Sequence, residues 1–153
     1  MMTYPCEVKE QPAQPVVSIH TRVPVQILPQ VLGKAYDALT QHLESLGEYP
    51  SGAPYVAYFN MDMQDLDIEI GFPVARTVAG RGEVESGCIP SGRYATTLHT
   101  GPYGEIAPAY EALAAWLRKE GLEASGTAYE FYLNDPQATC PEELQTQICL
   151  PVR

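Results

Sequence analysis

No run of the chain is apolar for anything near the roughly 20 residues that a membrane-spanning helix needs, so a membrane anchor is not expected. The opening residues, Met1-Met2-Thr3-Tyr4-Pro5-Cys6, have neither a basic cluster nor an apolar stretch behind them, which argues against a secretory leader and for a cytoplasmic protein. Cysteine is scarce and scattered. Cys6, Cys88, Cys140 and Cys149 lack CxxC spacing and read as idle thiols rather than a disulfide or metal framework. Basic residues are also few: 9 Lys and Arg stand against 19 Asp and Glu, for a formal net charge of -10. A surface this acidic repels phosphate backbones, excludes direct nucleic-acid binding and favours cationic ligands over anionic ones. No GxSxG and no Cys–His arrangement offers a nucleophile with its base. Gly101-Pro102-Tyr103-Gly104 lacks the Lys-Ser/Thr end of a phosphate-binding loop and reads as a turn into a helix. Phenylalanine is rare, with 3 against 10 tyrosines, so the aromatic surface carries hydroxyl handles.

What the chain does contain is an internal repeat. Its 153 residues, 45% hydrophobic, suit one folded domain. Ala35-Tyr36-Asp37-Ala38-Leu39 returns as Ala109-Tyr110-Glu111-Ala112-Leu113, and the same offset aligns Leu43 with Leu117, Gly47 with Gly121, Tyr58 with Tyr132 and Asn60 with Asn134. Leu66 to Val74 matches Leu144 to Val152, with extra residues in the second copy's loop around Asp135 to Glu143. Ile19-His20-Thr21 matches Leu98-His99-Thr100, in a register fixed only to within one residue. Two copies are too few for a solenoid. They predict one domain, residues 1–153, with a first repeat over about 5–76, a second over about 82–153 and a pseudo-two-fold axis between them. A groove along such an axis is a natural ligand site.

Within each copy the periodicity predicts strand, helix, strand, strand. Leu28, Leu32, Ala35, Leu39, Leu43 and Leu46 form one helical stripe, and Ile106, Tyr110, Leu113 and Leu117 form the other. Pro29 and Pro108 fit first turns, and Gly47 and Gly121 fit the ends. After each helix, Tyr55, Ala57 and Phe59, like Tyr129, Phe131 and Leu133, alternate with a second set. The more apolar sets are expected to face the helices, together with Leu66, Ile68, Ile70 and Phe72. Val56, Tyr58, Glu130 and Tyr132, with Asp67, Glu69, Gly71, Gln145, Gln147 and Cys149, should then line the opposite face. Short strands at Val8-Lys9-Glu10 and Glu83-Val84-Glu85 should precede the two copies. The fold class is therefore α+β, of duplicated β-α-β-β units with about eight mostly antiparallel strands and two main helices.

Ile89-Pro90-Ser91-Gly92-Arg93-Tyr94-Ala95, His99-Thr100-Gly101-Pro102-Tyr103, Tyr110 to Trp116-Leu117, Tyr129-Glu130-Phe131-Tyr132-Leu133-Asn134-Asp135-Pro136 and the ending from Pro141 to Val152 together resemble the GyrI-like family, also called the AraC-type effector-binding or SOUL-like domain. The resemblance implies a U-shaped sheet with a central groove. It also implies binding of lipophilic cations, as in MerR-type and AraC-type regulators, or two other roles seen in the family: gyrase inhibition through a protein contact, and hydrolysis of cyclopropane-type alkylators. No helix-turn-helix precedes the first repeat here, so the chain is expected to be a stand-alone member. No cofactor is implied.

Glu130 matches the glutamate that the family places at the floor of its groove. Periodicity alone leaves it either a counter-charge or a solvated strand residue; the motif favours a ligand site. A second acidic position in the family's last strand is Gln147 here, and Glu69 holds the corresponding place in the first copy. The candidate ligand-binding set is Glu130, Tyr132, Tyr58, Val56, Tyr110, Trp116, Tyr103, Glu69 and Gln147, for a small hydrophobic or cationic aromatic molecule. Trp116 reads equally as core edge or groove wall. A hydrolase would use Glu130 with Tyr110 or Tyr132. His20 and His99 read as structural, since no further ligands stand at metal-site spacing.

Overall fold

The computed structural model describes residues 4–153; Met1 to Thr3 of the N-terminal segment read above lie outside the described residues. In chain order the elements are β1 (Glu7–Gln11), β2 (Gln14–Val23), α1 (Leu28–Ser45), β3 (Tyr55–Tyr58), β4 (Leu66–Pro73), β5 (Glu85–Ile89), β6 (Gly92–Thr100), α2 (Ala107–Glu120), β7 (Ala128–Tyr132) and β8 (Gln145–Pro151). Every pairing within the two units described below is antiparallel, and the fold class is α+β, as the repeat predicts. No described helix is long and apolar enough to cross a membrane.

The chain packs as two compact units. In residues 13–90 the sheet order is β3-β4-β2-β5, with α1 beside it. In the other unit, residues up to 12 and from 91 on, the order is β7-β8-β6-β1, with α2 beside it. The two orders are the same arrangement, which is the duplication expressed in topology. The short strand ahead of each copy does not join its own copy's sheet: β1 pairs with β6, and β5 pairs with β2. The predicted strand at Glu83-Val84-Glu85 is displaced to Glu85–Ile89, because Arg81 and Val84 close a tight turn instead.

The helices follow the repeat closely. Ala35, Leu39 and Leu43 are the buried residues of α1, and Ala109, Leu113 and Leu117, their repeat mates, are those of α2. Pro29 and Pro108 occupy first turns, where a missing N–H costs nothing. Gly121 ends α2 in the left-handed conformation (φ 69°) that glycine adopts without strain. Leu46, placed on the α1 stripe by spacing, caps the helix instead and is exposed. Tyr110 and Ile106 flank the α2 stripe, half-buried, while Ala109 holds its centre.

Strand pairing settles which side chains share a face, since directly opposed residues point the same way. In the first unit, Val56 opposes Ile70 and Tyr58 opposes Ile68, while Phe72, of the same parity, meets Tyr36 of α1 with ring centroids 5.3 Å apart. Val56 and Tyr58 therefore face α1. Tyr55 and Ala57 share the other face with Gly71 and Glu69. In the second unit, Glu130 opposes Ile148 and Tyr132 opposes Thr146. Ile148 packs with Ala95, Ala109, Leu113 and Leu117 in the core beneath α2. The expectation that Glu130, Tyr132, Val56 and Tyr58 lie away from the helices is thus reversed. The predicted faces of β4 hold, but β3 and β7 sit in the opposite phase.

The first strands also resolve. Thr21 opposes Ile68 in the first unit, and His99 opposes Thr146 in the second. His99 is therefore the counterpart of Thr21, and His20 that of Leu98. A one-residue slip moves every side chain to the other face, so the two histidines are not equivalent. His20 lies beside Asp67, which it hydrogen-bonds, and against the edge of Phe59.

Candidate functional site

The helix-facing side of β6, β8 and β7 carries a polar cluster at its β7 end. The Glu130 carboxylate accepts a hydrogen bond on Oε1 from the Tyr132 hydroxyl at 2.9 Å, and one on Oε2 from the hydroxyl of Tyr110 on α2. The Tyr132 ring meets Tyr103 edge-on, with centroids 5.4 Å apart. Tyr103 belongs to the turn that leads into α2 and is 36% exposed, so it forms the solvent-facing end of this chain of contacts. His99 is buried on β6. Its Nε2 lies 3.0 Å from the Pro102 carbonyl, which only accepts, so this nitrogen carries a proton; its Nδ1 lies 3.2 Å from the Tyr4 hydroxyl. Tyr4 stacks on the imidazole. The N-terminal segment is fixed there by the Thr97 hydroxyl, which donates to the Pro5 carbonyl at 2.9 Å.

Burial is the largest influence on Glu130 and pushes its carboxyl above the usual carboxylate range. The bonds from Tyr110 and Tyr132 and the electrostatic pull of His99 oppose that rise without cancelling it. The sign for stability follows: the folded chain holds this proton more tightly than the unfolded one. That contribution is fully present below the ordinary glutamate pKa and is lost as pH rises through the raised one. Tyr103 is also pushed up, by burial and then by the charge of Asp135.

Thr146, between His99 and Tyr132 in the sheet, is fully buried. Among the described residues its Oγ1 is the one buried side-chain oxygen or nitrogen without a hydrogen-bond partner. An orphan of this kind costs about 1–3 kcal/mol.

The first copy supplies an internal control. Where the second copy has Glu130, Thr146 and His99, the first has Val56, Ile68 and Thr21, each opposed in the same pattern. Val56 and Ile68 are completely buried. Tyr36, the mate of Tyr110, turns its hydroxyl to the Tyr55 carbonyl at 2.8 Å. The scaffold therefore folds with alkyl groups at two of these positions, so the fold itself does not call for a carboxylate or an orphan hydroxyl there.

Of the residues singled out in the sequence, the structure gathers Glu130, Tyr132, Tyr110 and Tyr103. Trp116 is half-buried and packs against the α2 core. Gln147 opposes Phe131 and Leu98, on the face away from α2. Glu69 shares the non-helical face of the first unit and accepts a 2.6 Å hydrogen bond from Tyr55. Val56 and Tyr58 belong to the α1 side of that unit. Sequence reasoning missed Tyr4 and Thr146 and left His99 as merely structural. Asking what the second copy has in place of the first copy's alkyl groups would have exposed Thr146 directly. No described cluster of His, Cys, Asp or Glu is placed to hold a metal, and the four cysteines are free. Cys149, buried on β8, has its thiol pushed up to about 12 by burial, so it stays protonated and unreactive.

This duplicated α+β scaffold, with a polar cluster between one sheet face and its helix, defines a small-molecule binding class. The chain belongs to the GyrI-like small molecule binding domain family, whose model matches residues 4–153. No curated protein matches it in sequence. Among solved structures it is similar to the C-terminal domain of EcmrR, at 22% identity and a TM-score of 0.78 over 99% of each chain. Against EcmrR in its complex with DNA the TM-score is 0.86 at 22% identity, and all of this chain spans 59% of that one. SAV2435 bound to tetraphenylphosphonium aligns at 13% identity with a TM-score of 0.71, covering 99% of this chain and 94% of that chain. A hydrolase from Listeria innocua aligns at 16% and 0.72, covering 97% and 91%. At these identities the likeness is one of fold.

Proposed function

We propose that the chain captures lipophilic aromatic cations on the α2-facing side of the second copy, with Glu130 as counter-charge and Tyr103, Tyr110 and Tyr132 as ring contacts. The observation that carries this reading is the replacement of a buried valine in one copy by a hydrogen-bonded carboxylate in the other. A buried carboxylate is costly unless a charge answers it, and tyrosine faces add about 0.5–2 kcal/mol of cation–π attraction each where desolvated. The neighbour that holds tetraphenylphosphonium supports the choice of probe. Calorimetric titration with tetraphenylphosphonium should show wild type binding at least about tenfold more tightly than Glu130→Gln, a difference of about 1.4 kcal/mol. Neutral triphenylphosphine oxide should bind both alike. Equal losses for the two probes would remove the counter-charge role.

A second reading uses the same carboxyl. A glutamic acid held above its usual range beside two phenols is the form a general acid takes, and hydrolysis of a strained alkylating compound would draw on it. Recovery of the compound intact after prolonged incubation with the protein would dismiss hydrolysis and leave capture standing.

A further inference from the structure

Thr146 is the feature that capture of a plain cation leaves unexplained. Its hydroxyl lies on the same sheet face as Glu130, flanked by His99 and Tyr132 in the adjoining strands, and is completely buried. The neighbouring polar atoms are engaged elsewhere. Both nitrogens of His99 face Tyr4 and Pro102, and the Tyr132 hydroxyl donates to Glu130. The first copy fills the matching position with Ile68, also completely buried, so packing does not require an oxygen there. A buried hydroxyl kept without a protein partner, where an alkyl group fits, points to a partner that arrives with the ligand.

We propose that Thr146 reads a hydrogen-bonding substituent on the bound molecule, so that the site prefers aromatic cations bearing a hydroxyl, carbonyl or amine over purely hydrocarbon ones. This rests on the cation reading above and narrows its ligand class. Glu130 answers the charge, and Thr146 answers a polar group displaced from that charge along the sheet toward His99. A hydroxyl serves donors and acceptors alike, which fits a site that selects for the presence of one polar group.

The test uses the full chain and two kinds of probe. One is tetraphenylphosphonium, which has no hydrogen-bonding group. The other is a set of analogues carrying a hydroxymethyl group at the ortho, meta or para position of one ring. Wild type should favour at least one analogue over the parent by about three- to tenfold. Thr146→Val should abolish that preference while leaving parent affinity within about twofold, and Thr146→Ser should retain it. An absence of preference in wild type overturns the proposal, as does a preference that survives in Thr146→Val or an equal loss of parent and analogue. In each of these cases the cation reading stands, because the parent still binds wild type. Failure of every variant to bind any of the cations removes both.

Discussion

Tetraphenylphosphonium affinity is expected to rise with pH, by up to about tenfold per unit while Glu130 is still mostly protonated, and to level off once its carboxyl is ionised. The cause is competition. Burial raises the Glu130 pKa, so under the proposed capture a proton at low pH occupies the group that would answer the cation, and binding would have to expel it. The groups facing this carboxyl are Tyr110 from α2, Tyr132 from its own strand and His99 from β6. The Glu130→Gln variant is the control. In that variant the pH dependence should flatten. A slope that persists unchanged would overturn the role given to Glu130. Calorimetry in buffers of different ionisation enthalpy provides a second readout, since binding near the Glu130 pKa should release protons in wild type only.

Leu113→Ala is expected to lower the stability of the fold by about 2–5 kcal/mol, the usual cost of emptying a core position that cannot collapse. For a chain of this length each kcal/mol lowers the melting temperature by about 2–4 °C. Leu113 is completely buried and meets Ala95, Ala109, Leu117 and Ile148. It also lies one turn along α2 from Tyr110, which holds the Glu130 carboxylate. The cavity should therefore loosen the hydrogen bond to Glu130 and weaken cation capture as well. Thermal melts and titrations on the same variant check both effects. A melting point unchanged within 2 °C would show that the core beneath α2 is not where its burial places it.

The helices were legible because their signal is local and was written twice. Ala35, Leu39 and Leu43 and their mates Ala109, Leu113 and Leu117 are the buried residues in both copies. The strand phases were not legible, for a physical reason. In β7 the bulkier apolar residues, Tyr129 and Phe131, sit on the face away from the helix, whereas Glu130 and Tyr132 face it. The rule that apolar side chains turn toward the core fails where polar groups are placed inward for a purpose. The exchange of β1 and β5 was hidden because strand pairing is non-local and nothing within Glu7–Gln11 names its partner. The place of Tyr4 depended on that exchange: only once β1 joins β6 does the N-terminal segment reach His99. Gln147 was drawn into the expected site by its parity with Glu130 under the wrong phase, and the register puts it on the other face of its own sheet; Glu69 lies on the non-helical face of the first unit.

The most direct measurement substitutes into the second copy what the first copy already has. Glu130→Val places at this position the residue found at its counterpart, the buried Val56, and leaves Tyr110 the option its mate Tyr36 uses, a bond to a carbonyl of the next strand, there Tyr55 and here its counterpart Tyr129. At a pH above the raised Glu130 pKa, where the wild-type carboxylate is ionised against its desolvation cost, the variant should melt no lower than wild type and bind tetraphenylphosphonium at least about tenfold more weakly. A variant that unfolds would make Glu130 a structural residue, and one that binds the cation undiminished would show that the charge at this position has no part in capture.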